Sequence, residues 1–203
     1  MTPEEAATAL GLALDPAQLQ KLERHLDLVM AWNVRVDLVA PAPREDLVER
    51  HLLDSLLLLA MADPPYGSQV ADVGSGAGFP GLVWAMARPD LWLTLLEPRQ
   101  KRAAFLERAV LELGVPNAEV LARTAEEAGR MPEHHHRYDL VVARAVAPPP
   151  VVRKLAQGLV RPGGRIFVPL APEAETPEGT WVVERAIPWA PGKVRRAAVF
   201  PGK

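Results

Sequence analysis

The 203-residue chain contains no cysteine, which excludes disulfides, thiolate metal ligands and cysteine nucleophiles together. No apolar run approaches the length of a membrane span, and the first residues, Met1-Thr2-Pro3-Glu4-Glu5, are acidic where a secretory signal is basic. A cytoplasmic location without a membrane partner is therefore expected. Aromatic residues are scarce at 5%, and neither charge sign dominates: 23 Lys and Arg stand against 25 Asp and Glu. That balance argues against a protein that coats nucleic acid non-specifically, a mode that needs many phosphate contacts, so any RNA binding has to come from a local basic face. With 49% hydrophobic residues the chain can bury a full core, and one α/β unit with an appendage is expected rather than two large domains. Proline is what the chain has in excess, 21 residues, which points to short, stiffened connections and a less regular C-terminal third.

The organising stretch runs Gln69-Val70-Ala71-Asp72-Val73-Gly74-Ser75-Gly76-Ala77-Gly78-Phe79-Pro80-Gly81. Its first residues form a short apolar strand. Gly74, Gly76 and Gly78 then let the backbone turn sharply and approach a ligand, and a helix should follow with Pro80 in its first turn. Strand, glycine loop and helix open a nucleotide-binding βαβ unit.

Upstream, two start signals, Thr2-Pro3-Glu4-Glu5 and Asp15-Pro16-Ala17-Gln18, predict a short helix to about Leu10 and a longer one to about Val34. His25 reads as a surface or boundary histidine of the second. A third helix is expected from about Arg44 to Met61. Downstream, strands at Leu91–Leu96, Ala118–Leu121, Leu140–Ala143 and Arg165–Val168 alternate with helices at Lys101–Leu113 and Pro149–Leu159, and Trp181–Ile187 with Arg195–Phe200 reads as an antiparallel pair. The division expected is a helical cap over residues 1–66 and a single α/β unit over 67–203, a mostly parallel sheet with helices on both faces. His134-His135-His136 reads as a solvated loop, there being no other metal ligands at suitable spacing. His51, Asp54 and Ser55 have the residue types of a hydrolytic triad but no glycine elbow or oxyanion loop, and support of the glycine loop is the better reading.

The glycines alone do not decide the ligand, since Gly76-Ala77-Gly78-Phe79-Pro80-Gly81 also satisfies the pattern of NAD enzymes. Glu97, nineteen residues beyond Gly78 at a strand end, suits ribose hydroxyls in either case. Asp72 discriminates. An acid just before the first glycine repels a pyrophosphate but suits a ligand with positive charge, such as the sulfonium and ammonium of S-adenosylmethionine. The reading is a methyl donor, with an NAD-linked enzyme as the rival.

The run from Trp32 to Ala147 resembles the bacterial small-subunit rRNA 7-methylguanosine methyltransferases, the glucose-inhibited division protein B family. The resemblance rests on Trp32-Asn33, Arg50-His51-Leu52-Leu53-Asp54-Ser55, Asp72 to Gly81, Lys101-Arg102, Ala125-Glu126 and Ala143-Arg144-Ala145-Val146-Ala147, in family order. It implies a Rossmann-like class I methyltransferase fold, S-adenosylmethionine as cofactor, and 16S rRNA or the small ribosomal subunit as substrate, acted on by a monomer. Carried over by position, Asp72, Gly74, Gly76, Gly78 and Phe79 hold the cofactor, Glu97 its ribose, and Ala125 and Glu126 flank its adenine. Arg144, at a strand end, would face the methyl-transfer site. Lys101, Arg102, Arg123 and Arg195 are candidates for RNA phosphates.

Chemistry agrees with an arginine there. Guanine N7 offers an in-plane lone pair and loses no proton on methylation, so alignment is needed rather than a general base. A guanidinium can hold the O6 edge or a phosphate bidentately. Ala147 before Pro148-Pro149 stands where enzymes that methylate exocyclic amines tend to carry Asp or Asn. The chain departs from the family pattern at Asp37, Thr124 and Leu170. These positions leave a second reading open, a divergent member that binds S-adenosylmethionine and an RNA or partner but transfers weakly or not at all.

Overall fold

A computed structural model describes residues 1–202. Helix α1 (Pro3–Leu10) and helix α2 (Pro16–Asn33) both start from complete capping boxes, on Thr2 with Glu5 and on Asp15 with Gln18, so two otherwise orphaned amides are satisfied at each start. The third expected helix is not uniform. It runs as α3 (Arg44–Leu47), a π-helical turn (Val48–Leu53) and α4 (Asp54–Ala62), and a wide turn of this kind re-aims the side chains it carries.

The sheet then forms from β1 (Gln69–Val73), β2 (Trp92–Leu96), β3 (Ala118–Leu121), β4 (Tyr138–Ala143), β5 (Val160–Leu170), β6 (Trp181–Ala186) and β7 (Val194–Pro201). Its order is β3-β2-β1-β4-β5-β7-β6. The first five strands are parallel and β7 runs antiparallel to both β5 and β6. Between them lie α5 (Gly81–Ala87), α6 (Gln100–Leu113), α7 (Ala125–Ala128) and α8 (Pro149–Ala156). Because successive side chains leave a strand on opposite faces, each central strand feeds two cores. Val70, Leu140, Val142 and Phe167 join one cluster with Leu22, Leu26, Leu52, Leu56 and Trp84 of the helices. Ala71, Val141, Ala143 and Ile166 join the other with Ala128, Val152 and Ala156. The N-terminal helices thus share a core with the sheet.

Several expectations need correction. Pro80 sits just before α5 rather than inside its first turn. Strand β5 starts at Val160, because pairing with β4 is made at Tyr138–Val160 and resumes at Leu140–Arg165, leaving Arg161–Gly164 as a bulge within the strand. Helix α7 was not expected; Thr124 caps it in a box with Glu127. Of the three histidines, which lie in a turn, His135 and His136 are exposed as expected and His134 is not. His134 is buried with Nδ1 2.6 Å from the Tyr138 hydroxyl, while Nδ1 of His135 and of His136 lie 2.7 and 2.8 Å from the Gly129 and Val160 carbonyls. They tie the α7–β4 connection to its neighbours.

The order of strands reverses between β1 and β4, so a crevice opens at their C-terminal ends, as the topology of open α/β sheets requires. Trp84 secures the floor of this region: it is fully buried and its Nε1 donates to the Ser55 carbonyl at 2.8 Å, tying α5 to α4. Trp84→Phe removes that donor and leaves a void, for an expected loss of about 1–3 kcal/mol. Urea denaturation of the two proteins measures it.

Candidate active site

Strand ends bring the candidate residues together. Asp72 lies next to the end of β1 and Gly74 follows it, Glu97 follows β2 and Arg144 follows β4. The loop between β1 and α5 starts on Leu96, whose carbonyl accepts from the amides of Gly74 and Ser75 at 2.8 and 3.0 Å. Gly74 and Gly78 both have positive φ, and both are crowded: a Cβ on Gly74 would stand 2.6 Å from Val146 Cγ2, and one on Gly78 2.9 Å from Leu82 Cβ and 3.2 Å from His25 Nε2. Glycine is required at these two positions on backbone and packing grounds together.

Beneath the loop lie two buried polar groups. Asp72 is 1% exposed; its Oδ2 accepts from the Gly81 amide at 3.0 Å, and Oδ1 is buried without a partner. Burial pushes its carboxyl up to about 6, and the Gly81 amide pulls the other way. His25 is the second, and the expectation of a surface histidine fails here. It is fully buried, and Nε2 lies 2.7 Å from the Ala77 carbonyl. A carbonyl only accepts, so Nε2 carries the hydrogen and the neutral tautomer is fixed. Burial holds this imidazole down to about 4.

Phe79 is clamped between two imidazoles, with ring centroids 4.8 Å from His25 and 5.1 Å from His51. Over it lies Arg144, with Cζ 5.9 Å from the ring centroid. The Arg144 guanidinium is spent on the π-helical turn and the first residue of α4. Nη1 donates to Asp54 Oδ2 at 2.9 Å and to the Arg50 carbonyl at 3.2 Å, and Nη2 lies 2.6 Å from His51 Nδ1. His51 is held down to about 4, by burial first and then by the Arg144 charge, so its Nδ1 is free to accept. Arg195 closes on the same carboxylate: its Nε is 2.9 Å from Asp54 Oδ1, within ion-pair reach but not aligned as a hydrogen bond, and Nη1 donates to the Leu170 carbonyl at 2.8 Å.

Glu97, 3% exposed, takes the Gly76 amide on Oε2 at 3.1 Å and the Arg99 amide on Oε1 at 2.9 Å. Ala125 is buried and Glu126 exposed on the first turn of α7. Of the candidate phosphate ligands, Lys101 and Arg102 stand together at the start of α6, Arg123 is exposed beyond β3, and Arg195 is engaged with Asp54. His25 carried no local signal, since its partner is 52 positions away. No group of three or more His, Cys, Asp or Glu with metal-site geometry occurs among the described residues, and no helix there is long and apolar enough to cross a membrane.

Fold and crevice together define a class I methyltransferase. Solved structures of similar architecture include MtNAS in complex with MTA and tNA, with a TM-score of 0.60 and 15% identity over 92% of this chain and 70% of that one, and TrmN from Thermus thermophilus, with 0.53 and 21% over 75% and 49%. The family model described as rRNA small subunit methyltransferase G matches residues 18–178. Relatives called ribosomal RNA small subunit methyltransferase G include that of Symbiobacterium thermophilum, 43% identical over 83% of this chain and 71% of its own length. That of Listeria monocytogenes serotype 4b is 32% identical over 98% and 84%. The chain belongs to the rRNA small subunit methyltransferase G (GidB) family.

The titrations have a definite sign. Between pH 6.5 and 4 the unfolded chain takes protons on His25 and His51 that the fold refuses, so stability falls as pH drops through that window. Asp72 acts oppositely, because its carboxylate is harder to hold in the fold: its contribution worsens as pH rises from 3.8 through 6. Asp72→Asn is expected to melt several degrees higher than the unsubstituted protein at pH 8 and to lose that advantage at pH 4. His25→Gln, which cannot charge, should flatten the acid limb. Thermal melts from pH 4 to 8 decide both.

Proposed function

We propose that this protein transfers the methyl group of S-adenosylmethionine to N7 of a guanosine in 16S rRNA, in the free RNA or the small ribosomal subunit. The single observation that carries the reading is a glycine loop set over a buried acid with an unpartnered oxygen, facing an arginine at the end of β4, in a chain of this family.

The crevice fits the cofactor on its own terms. An unpaired carboxylate under the loop suits a cationic ligand and disfavours a pyrophosphate, which weighs against NAD. The loop from Asp72 through Gly74, Gly76 and Gly78 to Phe79 would hold S-adenosylmethionine, with Glu97 at the ribose, Ala125 and Glu126 at the adenine, and Arg144 at the reacting end. When bound, the cofactor supplies an electrophilic methyl group on a positively charged sulfur. Guanine N7 presents its lone pair without losing a proton, so the protein's task is positioning and the exclusion of water. Arg144 is oriented for that task by Asp54 and His51 and is kept off rotation by Phe79. Neutral His51 accepts rather than repels, which lets two cations and a carboxylate sit around it.

The helices of residues 1–66 serve as a cap that supplies these orienting groups to the unit of residues 67–203. In this reading the enzyme acts as a monomer in the cytoplasm, on an rRNA substrate of that compartment. The departures from the family pattern have local roles: Thr124 caps α7, and the carbonyl of Leu170 receives the guanidinium of Arg195.

Arg144→Ala is expected to keep S-adenosylhomocysteine affinity within about threefold while lowering methyl transfer to 16S rRNA at least a hundredfold, an alignment loss of about 3 kcal/mol. Asp54→Asn, which leaves the two guanidiniums without a counter-charge, should give an intermediate loss. Calorimetry and label transfer measure the two effects. Undiminished transfer by Arg144→Ala removes the role given to that residue, and absence of 7-methylguanosine in rRNA treated with the unsubstituted enzyme removes the reading itself.

A further inference from the structure

Beside the start of α6, two adjoining hollows of about 530 and 420 Å³ share Arg35, Val36 and Lys101. Trp32, half-buried and edge-on to Phe105 at 5.7 Å between centroids, lines the first; Arg99 and Arg102 line the second. Among the described residues, none of Arg35, Arg99, Lys101 and Arg102 has an acidic side chain within ion-pair distance. Arg102 alone is restrained, donating to the Asp37 carbonyl, and Asp37 is the one acid on the lining. Four cations against one acid in one cleft are notable in a chain whose formal charge is −2. The cleft also reaches the glycine loop: Arg102 Nη1 stands 4.0 Å from where a Cβ on Gly76 would be.

We infer that this cleft is a docking surface for the sugar–phosphate backbone of the substrate RNA, held by Arg35, Arg99 and Lys101 as phosphate ligands. The inference rests on the rRNA reading above and gives it an entry side: the strand lies along α2 and α6 and meets the crevice at Arg102. Exposed cations at Arg35, Arg99 and Lys101 suit contacts that position a backbone without reading sequence. The half-buried indole of Trp32 offers an apolar surface beside them, against which an unpaired base can rest. Arg123 and Arg195 lie outside the cleft, the first beyond β3 and the second in the Asp54 pair. They are not part of this surface.

The test is the triple variant Arg35→Glu/Arg99→Glu/Lys101→Glu, which leaves Arg102 and the glycine loop in place. Binding of a labelled 16S rRNA fragment is followed by anisotropy across a salt series, and S-adenosylhomocysteine binding by calorimetry. The expected result is RNA affinity at least tenfold lower, a dependence of log affinity on log salt shallower by about 2, from three phosphate contacts at about 0.7 each, and cofactor affinity within twofold. RNA affinity and salt slope equal to those of the unsubstituted protein overturn the inference, as does a variant that loses cofactor and RNA together while melting normally. Should the triple variant melt low, Arg35→Gln/Lys101→Gln carries the same test with a slope change of about 1.4. Direct RNA binding keeps the two readings separable: an unsubstituted protein that binds RNA through the cleft but transfers no methyl refutes the reaction and leaves the docking surface standing.

Discussion

The glycine loop is held by polar groups that the solvent cannot reach. Asp72 on β1 grips the amide of Gly81 at the far end of the loop, and His25 on α2 grips the carbonyl of Ala77 in its middle. Each bond sits in a low-dielectric interior, where a lost partner costs more than the bond contributes on exchange with water. The loop therefore has one strongly preferred shape, and that shape sets the position of Phe79 against both imidazoles. A fixed aromatic face then gives Arg144 a surface to lie over. The ordering runs from buried backbone bonds to the orientation of a cation, and α2 is needed for it as much as the sheet.

A second constraint is electrostatic. Asp54 serves two guanidiniums, with side chains 14 to 19% exposed, so the cluster carries a net positive charge close to the crevice. Such a cluster is held together by geometry: two arginines on one carboxylate are tolerated because each also donates to a backbone carbonyl, Arg144 to Arg50 and Arg195 to Leu170. The π-helical turn makes this possible by widening the helix where Arg50 and His51 lie, just before Asp54. A regular helix over the same residues would rotate Asp54 and His51 away from one another's present bearings.

What the sequence disclosed follows from the range over which each signal acts. The starts of α1 and α2 were legible because a capping box is complete within four residues, and the strand ends at Asp72, Glu97 and Arg144 were legible because apolar runs stop there. The box of Thr124 with Glu127 was present too, but a helix of four residues has no periodicity to accompany it. Three features depended on partners distant in the chain. His25 looks like a helix-surface residue until Ala77 is placed beside it. The π turn answers a demand made by Arg144 from β4. Strand β5 begins at Val160 because Tyr138 pairs with it, against the local turn signal of Pro162-Gly163-Gly164. The family resemblance singled out Arg50 to Ser55 and Arg144, but it did not disclose that His51 and Asp54 close on the Arg144 guanidinium.

The distribution of ion pairs argues for a direction of approach. At the N-terminal edge of the strands Arg88 is paired with Asp90 before β2, and Arg161 with Asp139, which also takes the Gln69 amide; Arg137 beside them donates to the Glu133 carbonyl and the Gln69 side chain. On the α2–α3 side Arg44 is shared by Glu23 and Asp27. At the C-terminal edge the pairing is sparser. Two arginines divide one aspartate, and Arg35, Arg99 and Lys101 are unpaired. Paired and unpaired cations are thus unevenly placed in a chain that is nearly neutral in sum, although Asp72 and Glu97 bury two acids at the crevice edge. Surface ion pairs of this kind contribute little to stability, so their placement is better understood through the field they leave behind. Around Arg35, Arg99 and Lys101, which have no acid within ion-pair distance, the local field favours an anion, and a polyanion that reaches the crevice along that side meets these cations first.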